Sequence, residues 1–285
     1  MDVDKANKLI AEAASQLVSR LIESRGHDTP PFSPEEYARL LGMKIVKANL
    51  GKVNAALVES GEGYIIRVNE SDIPTRQRFS CAHEIGHVLF NQVGLETHVR
   101  TIEYRSTFDP SGTNRVRAMA RERLCDVAAT KLLMPDGIFK KYLTSLGVSL
   151  HAIETLSNIF QTSITATAIR VAEISPEQCM VSLWNPWAKS KSKGLRFAWR
   201  AGPGEKPKVK GLFEPLTKYE RSSSSLYRAY EQDVLVKSIK SFRLETEVKR
   251  LPVESKGFGR GDSRFVVSLA FVDRGKPPVP EVGVR

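Results

Sequence analysis

The pentapeptide His83-Glu84-Ile85-Gly86-His87 constrains the fold of this chain more than any other feature. It lies in an apolar stretch patterned as a helix, where side chains at positions i and i+4 project from the same face. Two imidazoles placed in this way can bind one metal ion, and the intervening glutamate can take a proton from a water molecule there. We therefore predict a helix that carries two metal ligands, His83 and His87, and a general base, Glu84.

The residues around this motif predict where the helix begins and ends. Pro74 suits a first helical turn, and Ser71 or Asp72 stands where an N-cap is expected. Apolar residues recur along one side of the stretch, and Gly94 follows the last periodic positions. We expect the helix to run from residue 74 to residue 91 or 92.

Two imidazoles do not complete a catalytic zinc site, because such sites use three protein ligands and leave a fourth position open. Glu122, in the middle of a helix predicted at 114–133, is a candidate carboxylate ligand. Other candidates remain open on the residues alone, namely Glu96, His98, Glu103 and Asp126. Asp126 lies one turn after Glu122, where it could instead accept a hydrogen bond from a metal-bound histidine.

Composition limits the class of protein. Three widely spaced cysteines without a CxxC pair favour a reducing compartment over a disulfide framework. The first residues lack the basic region and apolar core of a signal peptide, and no run of about 18 apolar residues occurs. We therefore expect a cytoplasmic protein that has no membrane-spanning segment.

Charge is distributed unevenly along the chain. Residues 1–175 carry a net charge of +1, whereas residues 176–285 carry +10 together with all three tryptophans. This change in character predicts a domain boundary near residue 175. The basic excess is explained either as a solvated surface or as a surface for an acidic partner or nucleic acid.

Periodicity and turn residues predict a mixed α+β fold. Before the metal-binding helix we expect a small antiparallel sheet with a hairpin turn at 60–63, and one edge of this sheet could pair with an extended peptide. The strands predicted there are 43–50, 55–59 and 64–69. The other predicted helices are 4–24, one that begins at Pro34 after an N-cap at Ser33, 136–145, and a pair within 149–174. In the C-terminal part we predict strands at 180–183, 195–199, 243–249 and 264–272, and a helix at 219–239.

The two short helices within 149–174 admit two interpretations. Ser149 and Ser163 are placed to cap them, and their spacing resembles a helix-turn-helix. An ordinary helical hairpin that packs on the domain carrying the predicted metal ligands is the alternative. The second helix offers few side chains that could contact DNA bases; they are Thr165, Thr167 and Arg170.

The HExxH motif at 83–87 is followed by a second motif, formed by Glu122, Cys125, Asp126 and Ala129 and by Leu-Leu-Met-Pro at 132–135. This pair of motifs resembles that of the ImmA/IrrE family of metallopeptidases, whose members show HExxH and then E-x-x-A-[ND]-x-F-A-x-x-LLMP. Cys125 stands where the family usually has Ala, and Ala128 stands where it usually has Phe. Both departures fall on positions expected to contribute to packing.

The resemblance implies roles for four residues and a metal. His83, His87 and Glu122 would be the metal ligands, and Glu84 would be the general base. Two imidazoles and a carboxylate suit Zn²⁺, with Mn²⁺ as the alternative metal.

The length of the chain and the order of its segments resemble the longer IrrE-type members. These join a zincin-like peptidase domain, here 1–147, to a helix-turn-helix-like segment, here 148–175, and a GAF-like domain, here 176–285. The resemblance implies a peptidase that cuts a helix-turn-helix repressor and so releases stress, DNA-damage or mobile-element genes. Two other classes remain open: a DNA-binding regulator with a sensory or relic metal site, and a module that binds a repressor without cutting it.

Overall fold

The computed structural model describes residues 3–61, 63–94, 113–189, 192–202, 212–215, 219–244 and 247–272. The predictions for Glu96, His98 and Glu103 lie outside these residues. The described residues combine helices with two sheets, which confirms the α+β class. None of the described helices has both the length and the hydropathy needed to cross a membrane.

The described helices up to residue 174 fall close to the predicted bounds. All the described helices are α1 (Val3–Arg25), α2 (Pro34–Leu40), α3 (Pro74–Gln92), α4 (Thr113–Leu133), α5 (Asp136–Leu146), α6 (Leu150–Phe160), α7 (Ile164–Ile174) and α8 (Ser225–Gln232). The hydroxyl of Ser33 accepts a hydrogen bond from the backbone N–H of Glu35, so it caps α2 as predicted.

The strands form a three-stranded sheet in the order β1-β3-β2 and a seven-stranded sheet in the order β6-β8-β9-β10-β4-β5-β7. They are β1 (Lys44–Ala48), β2 (Ala55–Ser60), β3 (Gly63–Asn69), β4 (Cys179–Lys189), β5 (Ser192–Ala201), β6 (Leu212–Pro215), β7 (Tyr219–Arg221), β8 (Val236–Leu244), β9 (Glu247–Phe258) and β10 (Phe265–Phe271).

The small sheet is mixed, so the prediction of an antiparallel sheet is wrong for one of its two strand pairs. β2 and β3 form the predicted antiparallel hairpin, but β1 pairs in parallel with β3, Lys44 opposite Ile65. The strand order depends on the path of the segment between β1 and β2. The alternation of apolar residues within the strands gives no information about that path. The buried side chain of Asn69 donates to the carbonyls of Gly51 and Val53, both at 2.9 Å, and holds that segment against the end of β3.

Helix α3 follows β3 after a tight turn and begins without a side-chain cap. The N-cap residue is Ile73, so the prediction of Ser71 or Asp72 as the cap is wrong. The preceding turn is instead closed by the side-chain amide of Gln77, which donates to backbone carbonyls including that of Asp72 at 2.8 Å. Helix α3 ends at Gln92, as predicted, and packs against β2, β3 and α4.

The described chain divides into two compact units that are interleaved in sequence. The first consists of Met1–Phe139 and Ser157–Ser163, and the second of Lys140–Leu156 and Ile164–Arg285. Helices α5 and α6 therefore each supply residues to both units. The three-part division at 147 and 175 stays a prediction.

The first unit has an apolar core among α1 to α4 and the small sheet. The buried hydroxyl of Tyr37 donates to the carbonyl of Leu132 at 2.9 Å and ties α2 to α4. The rings of Phe139 and Phe160, both fully buried, lie 5.1 Å apart, so the segment 157–163 completes this core.

The second unit is built on the seven-stranded antiparallel sheet, and two predictions for it are wrong. The strand predicted at 243–249 straddles the end of β8 and the start of β9, which pair as an antiparallel hairpin. The helix predicted at 219–239 is limited to α8, because the flanking residues form β7 and β8. Charged side chains along β8 and β9 concealed the point at which β8 ends and β9 begins.

The seven-stranded sheet is strongly curled. Strands β8 and β7 are separated by four strands, so in a flat sheet they would lie about 24 Å apart. The ammonium of Lys240 on β8 nevertheless contacts the carboxylate of Glu220 on β7 at 2.8 Å. Both side chains line a cavity of about 450 Å³ inside the curl.

Candidate metal centre

Helices α3 and α4 bring the three predicted ligands together. The Nε2 atom of His83 lies 3.3 Å from Oε2 of Glu122, and the Nε2 atom of His87 lies 3.8 Å from Oε1 of the same carboxylate. The two imidazoles stand one turn apart on α3, with their ring centroids 5.1 Å from each other. One carboxylate thus faces both ring nitrogens, which is the arrangement expected when three donors point at one ion.

Asp126 occupies a different position from Glu122, although both are on α4. Its Oδ1 lies 2.9 Å from Nδ1 of His83, the ring nitrogen that faces away from Glu122. An acceptor on that nitrogen fixes the orientation and the tautomer of an imidazole whose other nitrogen binds a metal. Of the alternatives to Glu122, Asp126 therefore fits a supporting role.

Helix α4 can approach α3 closely because residue 86 has no side chain. A Cβ atom at Gly86 would lie 3.1 Å from both the Cα and the carbonyl oxygen of Cys125, and 3.2 Å from Cβ of Ala128. These distances are shorter than ordinary contacts between carbon atoms, which lie at about 3.5–4.0 Å. The small residue at 128 belongs to the same contact, so the departure from the usual Phe has a steric reason.

Cys125 is the residue whose place in the site was missed from the sequence. Its Sγ lies 3.4 Å from Nδ1 of His87, and the side chain is fully buried. Donor atoms of His83, His87 and Cys125 lie within 4.8 Å of one another, so the sulfur is a second candidate for a third ligand. The available signal was its spacing, three residues after Glu122 on the same helix.

Glu84 is buried in the helix between the two histidines, with 5% of its surface exposed. Its negative charge acts on both His83 and Cys125. A buried carboxylate beside the candidate metal ligands has the position expected of a general base.

The electrostatics of the site favour a charged His83 and a neutral Cys125 when no metal is bound. Burial disfavours the imidazolium of His83, but the hydrogen bonds to Asp126 and Glu122 outweigh it and raise the pKa to about 9. Burial, together with the charges of Glu122 and Glu84, raises the pKa of the Cys125 thiol well above its usual range. A cation is thus already favoured between α3 and α4.

The residues present fit a divalent metal. Two imidazoles and a carboxylate are a common ligand set for catalytic zinc and leave one coordination position open. The partner of His83 at Nδ1 adds the supporting hydrogen bond that such ligands usually make. The carboxylate of Glu122 also suits Mn²⁺, so the donor set does not select one metal.

Residues 38–172 match the family model described as the IrrE N-terminal-like domain. Two curated relatives carry the name radiation response metalloprotease IrrE. The protein from Deinococcus radiodurans is 28% identical over 125 residues, which cover 44% of this chain and 36% of the relative. The protein from Deinococcus deserti is 31% identical over 112 residues, which cover 39% of this chain and 37% of the relative. The matched segment thus spans little more than a third of each relative.

A solved structure of a Mycobacterium tuberculosis transcriptional regulator resembles a larger part of the chain. It aligns with a TM-score of 0.57 and 14% identity, and covers 95% of this chain and 82% of the other. At this identity the resemblance concerns the fold alone.

Proposed function

We propose that this chain, whose residues 38–172 match the IrrE N-terminal-like family model, is a zinc-dependent endopeptidase that cuts a helix-turn-helix repressor at one site. The observation that carries the proposal is the convergence of His83, His87 and Glu122 across α3 and α4, with Glu84 buried beside them. Two imidazoles and one carboxylate as ligands, with a further carboxylate as base, are the groups that a metal-dependent hydrolase uses.

The mechanism divides into the chemistry of the metal and the work of the protein. Bound Zn²⁺ supplies a Lewis acid that polarises a peptide carbonyl and lowers the pKa of water to about 7. Glu84 takes a proton from the attacking water and later delivers it to the leaving amine. Asp126 holds the ring of His83 through Nδ1, so that Nε2 remains directed at the position faced by Glu122.

The small sheet supplies a surface for an extended substrate. β2 lies at one edge of that sheet and packs against α3, which carries the motif. A peptide that pairs with β2 would add a strand through backbone hydrogen bonds, a mode that depends little on side-chain identity. This mode suits an extended, exposed segment of a folded repressor.

The proposed substrate class is supported by the family resemblance and by the names of the relatives. Both curated relatives are radiation response proteins, and we extend the same kind of role to this chain: cutting a repressor so that stress, DNA-damage or mobile-element genes are expressed. We place the reaction in the cytoplasm. The three cysteines, all among the described residues, are buried and form no disulfide, which suits a reducing compartment.

The second candidate function is a DNA-binding regulator that uses the metal site for sensing. The net charge of +10 in 176–285 favours it. The helix pair α6–α7 argues against DNA reading through α7, because Thr167 and Arg170, two of its three candidate contact residues, are buried. We therefore keep the helix-turn-helix-like role of 148–175 and a GAF-like role of 176–285 as proposals, subordinate to the peptidase.

The test uses the full chain loaded with Zn²⁺ and the helix-turn-helix repressor encoded nearest to its gene. Intact mass spectrometry should detect one defined cut with the wild type and none with Glu84→Gln, which keeps the shape of the side chain but cannot take a proton. Zinc content must be equal in both samples. Cutting by Glu84→Gln would refute the role of Glu84. A shift of promoter DNA by this chain, without any cut, would favour the regulator instead.

A further inference from the structure

Helix α4 places three polar side chains against the two imidazoles of α3, and each contacts different ring nitrogens. Glu122 faces the Nε2 atoms of both histidines, at 3.3 and 3.8 Å. Asp126 faces Nδ1 of His83 at 2.9 Å. Cys125 faces Nδ1 of His87 at 3.4 Å, a normal distance for a hydrogen bond to sulfur. The two outward nitrogens are therefore contacted by consecutive residues of one helix.

An imidazole that binds a metal through Nε2 carries its hydrogen on Nδ1, and that N–H needs an acceptor. Sulfur is a weak acceptor, but the location explains why it is used. Asp126 has 54% of its side chain exposed, whereas Cys125 is fully buried. A carboxylate at position 125 would add another buried negative charge next to Glu84 and Glu122, which is unfavourable unless it is paired.

We propose that Cys125 is a positioning residue of the metal centre: its sulfur accepts the hydrogen on Nδ1 of His87 and so keeps Nε2 directed at the metal. The proposal rests on the proposed function only in that His83, His87 and Glu122 hold the metal. It does not depend on the identity of the substrate. Cys125 thus serves His87 as Asp126 serves His83, with a neutral group in place of a charge.

The backbone of Cys125 is fixed by the same contact that brings the helices together. Its Cα and carbonyl oxygen are the atoms that a Cβ at Gly86 would approach to 3.1 Å. Because Gly86 precedes His87 directly, the sulfur and the imidazole are held by adjacent points of one helix crossing. This geometry leaves the side chain little freedom to lie elsewhere.

The experiment measures zinc affinity by competition with a chelator in Cys125→Ala, Cys125→Ser and the control Cys81→Ala. Cys81 is a second buried thiol on α3, with 2% of its surface exposed, so its removal tests the general effect of losing a buried sulfur. We expect Cys125→Ala to weaken zinc binding about tenfold, the lower end of the usual range for a supporting hydrogen bond. Cys125→Ser should retain the affinity, because a hydroxyl oxygen also accepts, and Cys81→Ala should not change it.

A second readout distinguishes positioning from direct coordination. In the Co²⁺-substituted wild type we expect no intense near-ultraviolet band of the kind that a cobalt-bound thiolate gives. Such a band, if it were lost in Cys125→Ser, would make Cys125 a ligand and overturn the proposal. Unchanged zinc affinity in Cys125→Ala would reduce the residue to packing and overturn it too. If Cys125→Ala does not fold, the cobalt spectrum and Cys125→Ser still decide.

These measurements need no substrate, so they separate this proposal from the peptidase function. A protein that binds zinc through a positioned His87 but cuts no repressor would leave the role of Cys125 standing and refute only the activity. If the protein cuts the repressor but zinc affinity is equal in the wild type and Cys125→Ala, the activity would stand and the role of Cys125 would be refuted.

Discussion

Replacing Gly86 by alanine tests the close contact between α3 and α4 on which the proposed metal centre depends. The added methyl carbon would lie 3.1 Å from two backbone atoms of Cys125 and 3.2 Å from Cβ of Ala128. Backbone atoms cannot turn aside, so α4 must move away by about 0.5 Å to restore ordinary contact. Overpacking of this kind costs about 1–3 kcal/mol, and the better helix propensity of alanine offsets roughly 1 kcal/mol.

We expect Gly86→Ala to lower the free energy of unfolding of the metal-free protein by about 1 kcal/mol. Zinc affinity should fall by at least about tenfold, because ligand distances must be kept within about 0.2 Å. Denaturant titration measures the first quantity, and chelator competition measures the second. The loss of affinity should exceed what the loss of stability alone would produce.

The matched control is Gly137→Ala in α5, where an added Cβ would meet no atom within 4 Å. This variant should be unchanged or more stable, by up to about 1 kcal/mol, with normal zinc binding. The reasoning would be refuted if Gly86→Ala behaved in the same way as Gly137→Ala in both assays. Close approach at Gly86 would then not determine the geometry of the site.

Three further predictions concern the same unit. Because the pKa of His83 is raised from 6.5 to about 9 in the folded protein, its charged form stabilises the metal-free protein fully below pH 6.5. That contribution should be lost as the pH rises through 9, by no more than about 3–4 kcal/mol of unfolding free energy in pH-dependent denaturation. Asp126→Asn should remove much of this pH dependence and weaken zinc binding about tenfold in chelator competition, and a variant that matched the wild type in both would contradict the role of Asp126. Tyr37→Phe removes the donor to the carbonyl of Leu132 and should lower the unfolding free energy by about 1–2 kcal/mol; unchanged stability would show that this buried bond contributes nothing.

The sequence predicted those parts of the fold that depend on neighbouring residues. Helix α3 begins at Pro74 and ends before Gly94 because both signals act locally. The hairpin of β2 and β3 followed from alternating strands around a short polar turn. Placing the candidate ligands His83 and His87 together also needed only the period of a helix, and Glu122 was reached through a family resemblance rather than through its own pattern.

What the sequence did not predict depends on contacts between distant segments. The parallel pairing of β1 with β3 depends on the connection held by Asn69, and no strand pattern describes that connection. The partnership of Cys125 with His87 depends on how closely two helices approach at Gly86. A cysteine in place of the family's usual alanine was therefore interpreted as a packing change, although it lies against a predicted ligand.

The interleaving of the two units has a consequence for synthesis of the chain on the ribosome. The first unit needs the segment 157–163, whose Phe160 contacts Phe139 and whose Thr162 hydroxyl contacts the sulfur of Met134. That segment emerges only after 140–156, which belongs to the second unit and has its partners further along. The first unit is therefore expected to stay incomplete until residue 163 has left the exit tunnel. A gene fragment that ends at 147 should yield a product with part of its core uncovered, and this product should be prone to association.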